Sequence, residues 1–259
     1  MSATKIPSVF LASCAVALIA SACDDPKKPV GADKPEAAAP VQTATASAAV
    51  AVAPKTMPEV TLDSSHVQIG MDELQLSVPS YAQMLQRLVE KYPVSQPEKV
   101  ILNSARANKI TDVTTVVYAL FDGGAKAIEV RTKPRGSFPG QLVISSDKAF
   151  AKAAQPCTYA GMILKDLGVT FWRVRGGGGK RYSKGMAGPD LTAMHGVFAK
   201  EVDSCSSTIF YFSADEGVEW GHAFDLATSM VAHEPKYKLS TFVLLREIPT
   251  AGKQVKVAP

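Results

Sequence analysis

The 259-residue chain carries 28 lysines and arginines against 24 aspartates and glutamates, a formal net charge of +4. So small an excess, with no basic face, excludes the electrostatic footprint of a nucleic-acid-binding protein. Hydrophobic residues make up 46% of the chain, which is the composition of a protein with a packed core.

The first 22 residues have the organisation of a bacterial export signal. Lys5 supplies a positive charge, and residues 6–20 form an apolar core of the length typical of a signal peptide. Ala20-Ser21-Ala22 then precede Cys23, an arrangement that indicates lipoprotein processing. We therefore expect residues 1–22 to be removed and Cys23 to carry the lipid.

Two other interpretations of this region remain open. Ordinary signal peptidase would cut at the same bond, because Ala20-Ser21-Ala22 is also an A-x-A site. Leu11-Ala12-Ser13-Cys14 fits the lipoprotein pattern too, but it leaves a shorter apolar core. The lipid interpretation predicts a protein anchored in the cell envelope and facing the periplasm, with the choice of inner or outer membrane undecided.

Residues 23–58 are predicted to be the lipid anchor and a disordered tether. The segment is rich in Ala, Pro, Val and Thr and has no aromatic residue, so it cannot bury enough apolar surface to fold. About 35 residues in the polyproline II form reach on the order of 100 Å. The tether could therefore lift a folded domain away from the membrane.

Residues 59–147 are predicted to form a first folded unit. Residues 60–69 and 74–78 indicate two strands, and a helix with apolar residues on one face begins at Pro79-Ser80. Three further elements follow: a strand at 99–103, a helix that ends at Gly123-Gly124, and a strand at 127–131. Residues 141–145 form an additional strand that this pattern does not place.

Residues 148–250 are predicted to repeat this order, and 251–259 to be a tail. Strand candidates at 161–165 and 169–174 precede a helix that opens at Pro189-Asp190. The rest of the unit is predicted as strand 208–212, a helix that buries Trp220 and Phe224, and strand 239–245. The predicted fold class is α/β (α+β), with two tandem β-β-α-β-α-β units.

The mature chain would hold three cysteines, namely Cys23, Cys157 and Cys205. With Cys23 lipidated in an oxidising compartment, a disulfide between Cys157 and Cys205 is expected, the alternative being two buried free thiols. Neither residue lies in a nucleophile motif. The four histidines show no metal-binding spacing, so we predict no metal, no cofactor and no enzymatic activity.

A glycine-rich basic segment is the most prominent candidate for binding. Gly176 to Lys180 lacks the Ser or Thr that follows the lysine of a phosphate-binding loop. We predict a flexible loop in which Arg175, Lys180 and Arg181 contact an anionic partner, the alternative being a solvated charged loop. Trp220 is predicted either as a partner-binding anchor or as a core residue.

Residues 209–224 resemble the periplasmic domain of ExbD/TolR biopolymer-transport proteins, whose pattern is a strand, Ala-Asp-x-x-Val-Pro-Tyr-Gly and a helix. Glu219 replaces the proline and Trp220 the tyrosine, whereas four residues match: Ala214, Asp215, Val218 and Gly221. Residues 104–112 match more weakly, with Arg106 in place of the acid and one extra residue.

The resemblance implies two such domains in one chain, a tendency of these domains to pair, and binding of peptidoglycan or an envelope protein complex. Members of the family also carry a transmembrane helix with an essential aspartate, which is not expected here, so the proton-coupling role does not carry over. The predicted function is a non-enzymatic, membrane-anchored binding or scaffolding lipoprotein. The alternatives are an enzyme that acts on a cell-wall polymer and a periplasmic module that binds a small ligand.

Overall fold

Strands and helices alternate along the part of the chain that the computed structural model describes, residues 57–92 and 99–256. The first set of elements is β1 (Val60–Leu62), β2 (His66–Ile69), β3 (Asp72–Gln75), α1 (Tyr81–Lys91), β4 (Val100–Ser104), α2 (Ile110–Asp122), β5 (Ala127–Arg131) and β6 (Gln141–Ser145). The second set is α3 (Asp147–Phe150), β7 (Tyr159–Ile163), β8 (Val169–Arg173), β9 (Gly178–Tyr182), α4 (Leu191–Glu201), β10 (Ile209–Ala214), α5 (Trp220–Val231), α6 (Glu234–Tyr237) and β11 (Thr241–Leu244). The fold is mixed α/β, as predicted.

All of these strands belong to one sheet, in the order β3-β2-β1-β4-β5-β6-β11-β10-β7-β8-β9. The order β3-β2-β1-β4-β5 on one side matches β9-β8-β7-β10-β11 on the other. In both halves the chain first forms three antiparallel strands and then adds two parallel strands, each preceded by a helix. The same sequence of elements therefore occurs twice.

Each half contains one strand more than the sequence predicted. In the first half, residues 60–69 form a hairpin because the Asp63 carboxylate accepts hydrogen bonds from the backbone N–H groups of Ser65 and His66, at 2.7 and 2.9 Å. In the second half, residues 178–182 form β9 on the edge of the sheet, where the sequence predicted a flexible loop. The order in each half is thus β-β-β-α-β-α-β rather than β-β-α-β-α-β.

The strand at residues 141–145, which the sequence pattern did not place, joins the two halves. As β6 it pairs antiparallel with β5 and parallel with β11. Because it closes the gap between the two five-stranded halves, the sheet continues across them without a break.

The two corners that precede α2 and α5 have the same backbone geometry. In the first, the N–H of Asn108 donates to the carbonyl of Ala105, and in the second the N–H of Val218 donates to that of Asp215, at 3.3 and 3.1 Å. Lys109 and Glu219 form an antiparallel bridge with one another. Each residue from about 105 to 120 in the first half therefore corresponds to the residue 110 positions later in the second half.

The two corners also bind to each other through reciprocal backbone hydrogen bonds. The Ile110 N–H donates to the carbonyl of Val218 at 2.9 Å, and the Trp220 N–H donates to that of Asn108 at 2.7 Å. These hydrogen bonds hold the two halves together at the corners.

The correspondence also corrects the alignment made from the sequence. Asp215 corresponds to Ala105, and Glu216 corresponds to Arg106, with no extra residue in the first half. Arg106 therefore does not correspond to Asp215.

The main core lies where the long helices pack on one face of the sheet. Leu85 of α1, Val113 of α2, Phe198 of α4 and Phe224 of α5 are all buried in a single cluster. None of the helices within residues 57–92 and 99–256 is both long enough and apolar enough to cross a membrane.

A second, smaller cluster covers the other face of the second half. It contains Trp172, Tyr211 and Val243 from the sheet, with Val255 from the end of the chain. The Trp172 Nε1–H donates to the carbonyl of Lys253 at 2.7 Å. Residues 251–256, predicted as part of a tail, therefore pack on the sheet.

Candidate functional site

A groove opens at the edge of the sheet, between β8, β9 and the end of α4, with a cavity volume of about 430 Å³. Phe171 and Tyr182 form its aromatic floor, with ring centres 6.1 Å apart in a stacked arrangement. Arg173 and Lys180 bring two positive charges, and Glu201 is the single acid among the described residues that line it. This β9 groove combines apolar rings with a net positive charge.

The three basic residues predicted to bind a partner do not all face this groove, because neighbouring residues of a strand point to opposite faces. Lys180 lines the groove, with its Nζ 6.0 Å from the centre of the Tyr182 ring. Arg181 lies on the other face, where its guanidinium is 2.5 Å from the Asp166 carboxylate. Arg175 is exposed on the turn after β8, outside the lining. The structure therefore does not bring the predicted cluster together.

Glycine is required at the turn that forms one wall of the groove. Gly176 to Gly179 all have a positive φ, between 78° and 95°, a region that other residues rarely adopt. A Cβ on Gly176 would also lie 3.0 Å from the backbone nitrogen of Gln254. The glycine run thus lets the chain turn tightly against the C-terminal segment and enter β9.

Trp220 belongs to the core, which corrects its interpretation as a partner-binding anchor. Its side chain is 0% exposed, and its Nε1–H donates to the Thr132 hydroxyl at 2.9 Å. The ring packs against Phe212 and Phe224. In this structure no partner can reach it.

The predicted disulfide between Cys157 and Cys205 is present, with Cα atoms 5.5 Å apart. It connects the segment before β7 to the segment after α4, close to the β9 groove. Near the bond, Arg173 donates to the Ser204 hydroxyl at 3.4 Å. Cys23, the predicted lipidation site, lies outside the described residues.

A cluster of rings surrounds His195, which the sequence did not single out. Its Nδ1 lies 2.9 Å from the Tyr237 hydroxyl, its Nε2 lies 2.9 Å from the Ser229 hydroxyl, and its ring stacks on His233 at 4.3 Å. Burial lowers the pKa of His195 to about 4, and the charges of His233 and Lys236 act in the same direction.

Ser229 and His195 do not form an accessible pair of nucleophile and base. Ser229 is 0% exposed, and its hydroxyl donates to the Leu226 carbonyl at 2.7 Å. Asp215 likewise has a local role, since its carboxylate accepts the backbone N–H of Lys165 at 2.7 Å. Across residues 57–92 and 99–256, no group of three or more His, Cys, Asp or Glu side chains is placed to hold a metal ion.

We expect the His195 cluster to make the protein less stable in acid. The pKa of an unfolded histidine is about 6.5, so between pH 6.5 and 4 the unfolded chain takes up a proton that folded His195 does not. The contribution of neutral His195 to the free energy of unfolding is complete above pH 6.5 and is lost as the pH falls towards 4. The loss is at most about 3 kcal/mol. His195→Gln should flatten this part of a melting-temperature profile from pH 7.5 to 4, and parallel profiles for the two proteins would contradict the assignment.

Comparison of the chain with protein-family models, with curated proteins and with solved structures found no match in any of the three.

Proposed function

We propose that the protein is a non-enzymatic, lipid-anchored module that binds an anionic polymer of the cell wall through the β9 groove. The observation that carries the proposal is the pairing of Arg173 and Lys180 with an aromatic floor in one open groove. The cations suit the carboxylates of peptidoglycan stem peptides, and the rings suit contact with the faces of sugar or peptide groups.

The predicted lipid on Cys23 gives this binding its proposed setting. A single tethered copy already lies within reach of the wall, so the anchor raises the effective concentration of the groove there. Each contact can then be weak, because proximity to the polymer offsets a low intrinsic affinity. The mechanism is tethered binding, without chemistry on the polymer.

The proposed fold relationship is that each half is a divergent ExbD/TolR-like domain. It is supported by the residues shared at Ala214, Asp215, Val218 and Gly221, and by the order of elements common to both halves. The paired corners before α2 and α5 would then be an internal counterpart of domain pairing. In this proposal each residue of the first half is aligned with the residue 110 positions later in the second half, which replaces the alignment drawn from the sequence.

Co-sedimentation of the full-length protein with isolated peptidoglycan tests the proposal. We expect binding that weakens with salt, because solvent-exposed charges are screened over about 10 Å at 0.1 M salt. Replacing both Arg173 and Lys180 with alanine should weaken binding by roughly tenfold, about 1.4 kcal/mol. In cells, Cys23→Ser should move the protein from the membrane to the soluble fraction, whereas Cys14→Ser should not.

Arg181→Ala is the matched control, since it removes one positive charge from the same strand but from the other face. If Lys180→Ala and Arg181→Ala weaken sedimentation equally, the β9 groove is not the binding site. No sedimentation at low salt would reject wall binding altogether.

A further inference from the structure

A second cavity lies on the helix side of the sheet, far along the strand order from β9. It has a volume of about 180 Å³ and is bounded by α2 and by the carboxyl ends of β10 and β11. It shares residues with a neighbouring cavity of about 340 Å³ between α1 and α2. The shared residues are Thr114, Thr115 and Arg246, so the two cavities adjoin, and together they are here called the α2 cleft.

The site that corresponds to the α2 cleft lies beside α5, and the Arg106 side chain fills it. The Arg106 guanidinium donates to both carboxylate oxygens of Asp225, at 2.9 and 2.6 Å, and to the carbonyl of Gly221 at 3.0 Å. By the 110-residue correspondence, Asp225 matches Thr115 and Gly221 matches Thr111, both of which line the α2 cleft.

The second half has a different side chain at the position that matches Arg106. The residue at the matching position is Glu216, which is exposed at the surface rather than inserted against α2. The polar site that Arg106 fills beside α5 is therefore open to solvent beside α2.

The two sites also differ in the charge that the protein presents. Where α5 offers the Asp225 carboxylate to the Arg106 cation, the α2 cleft offers the Arg246 guanidinium. Arg246 is held 5.1 Å above the Tyr118 ring and 3.0 Å from Asp122 Oδ2, and 41% of its side chain is exposed. The Arg246 guanidinium donates to both carboxylate oxygens of Asp122, at 3.4 and 3.0 Å. Because a guanidinium carries five N–H donors and matches a carboxylate with two parallel hydrogen bonds, a ligand carboxylate would bind Arg246 in competition with Asp122.

Apart from Asp122, the polar lining of the cleft beside Arg246 is neutral. Thr111, Thr114 and Ser213 line the smaller cavity, and Gln83 and Gln86 line the larger one. Ser213 is only 2% exposed. Such groups match the hydroxyls of a polar ligand.

We propose that the α2 cleft binds a small hydroxylated organic acid, such as a sugar acid, with its carboxylate on Arg246 and its hydroxyls on the threonine, serine and glutamine side chains. This site is separate from the β9 groove and does not depend on the proposed function.

The test is calorimetric and NMR titration of the full-length protein with D-galacturonate, alongside its neutral methyl ester and acetate. We expect galacturonate to bind at least tenfold more tightly than either comparison ligand. Arg246→Met should weaken galacturonate binding at least tenfold. Asp122→Asn removes the internal competitor for Arg246 and should tighten binding severalfold, a direction that partial unfolding cannot imitate.

Lys180→Ala, in the β9 groove, should leave galacturonate binding unchanged and so separates the two sites. Equal binding of galacturonate and its methyl ester would overturn the anionic assignment. Absence of any shift in the Thr111, Thr114 and Ser213 amide signals at 20 mM galacturonate would overturn the site itself.

Discussion

Arg106→Met is expected to lower the free energy of unfolding by about 3–5 kcal/mol, the range seen when one partner of a buried ion pair is removed. The Asp225 side chain is only 3% exposed, and without Arg106 its remaining ion-pair partner is Arg135, 3.7 Å away. Two backbone carbonyls, those of Gly221 and Lys133, would also lose their donor. Urea unfolding followed by circular dichroism measures the loss.

The matched control is Arg181→Met, because Arg181 makes an ion pair with Asp166 at 2.5 Å in which both side chains are about half exposed. Exposed pairs contribute at most about 1 kcal/mol. The double variant Arg106→Met with Asp225→Leu should recover most of the lost stability, since neither charge then remains buried alone. If Arg106→Met and Arg181→Met cost the same, the pair of Arg106 and Asp225 does not hold the two halves together.

The helices and most strands could be predicted because their signals are local. The apolar spacing of α2 and α5 and the glycines after α2 gave their positions within a few residues. β9 was missed because Gly176 to Gly179 is typical of a loop, and only pairing with β8 makes the following residues a strand. β6 was found as a strand but not placed, because its neighbours β5 and β11 are separated by more than a hundred residues of chain.

The candidate sites were less predictable because they depend on long-range contacts. Arg106 and Asp225 are 119 residues apart, so nothing in the local sequence of either indicates the pair. Lys180 and Arg181 look equivalent in the sequence, and only the pleat of β9 sends one into the groove and the other to Asp166. The α2 cleft likewise requires the two halves to be compared position by position.

Removing the Cys157–Cys205 disulfide is expected to cost about 4 kcal/mol. The bond joins residues 48 positions apart, and a closed loop of that length restricts the unfolded chain by about this free energy. The double variant with serine at both positions should therefore unfold at a lower urea concentration. Wild type in dithiothreitol should match it, because both cysteines are partly exposed.

Loss of this bond should also weaken the β9 groove specifically. The loop that it closes, residues 157–205, contains every described residue that lines the groove, from Phe171 on β8 to Glu201 on α4. The groove should therefore loosen before the first half unfolds, and peptidoglycan sedimentation should fall in dithiothreitol under conditions where far-ultraviolet circular dichroism is unchanged. The α2 cleft lies outside this loop, so galacturonate binding should persist. Equal loss of both activities on reduction would mean that the disulfide stabilises the whole sheet rather than this edge.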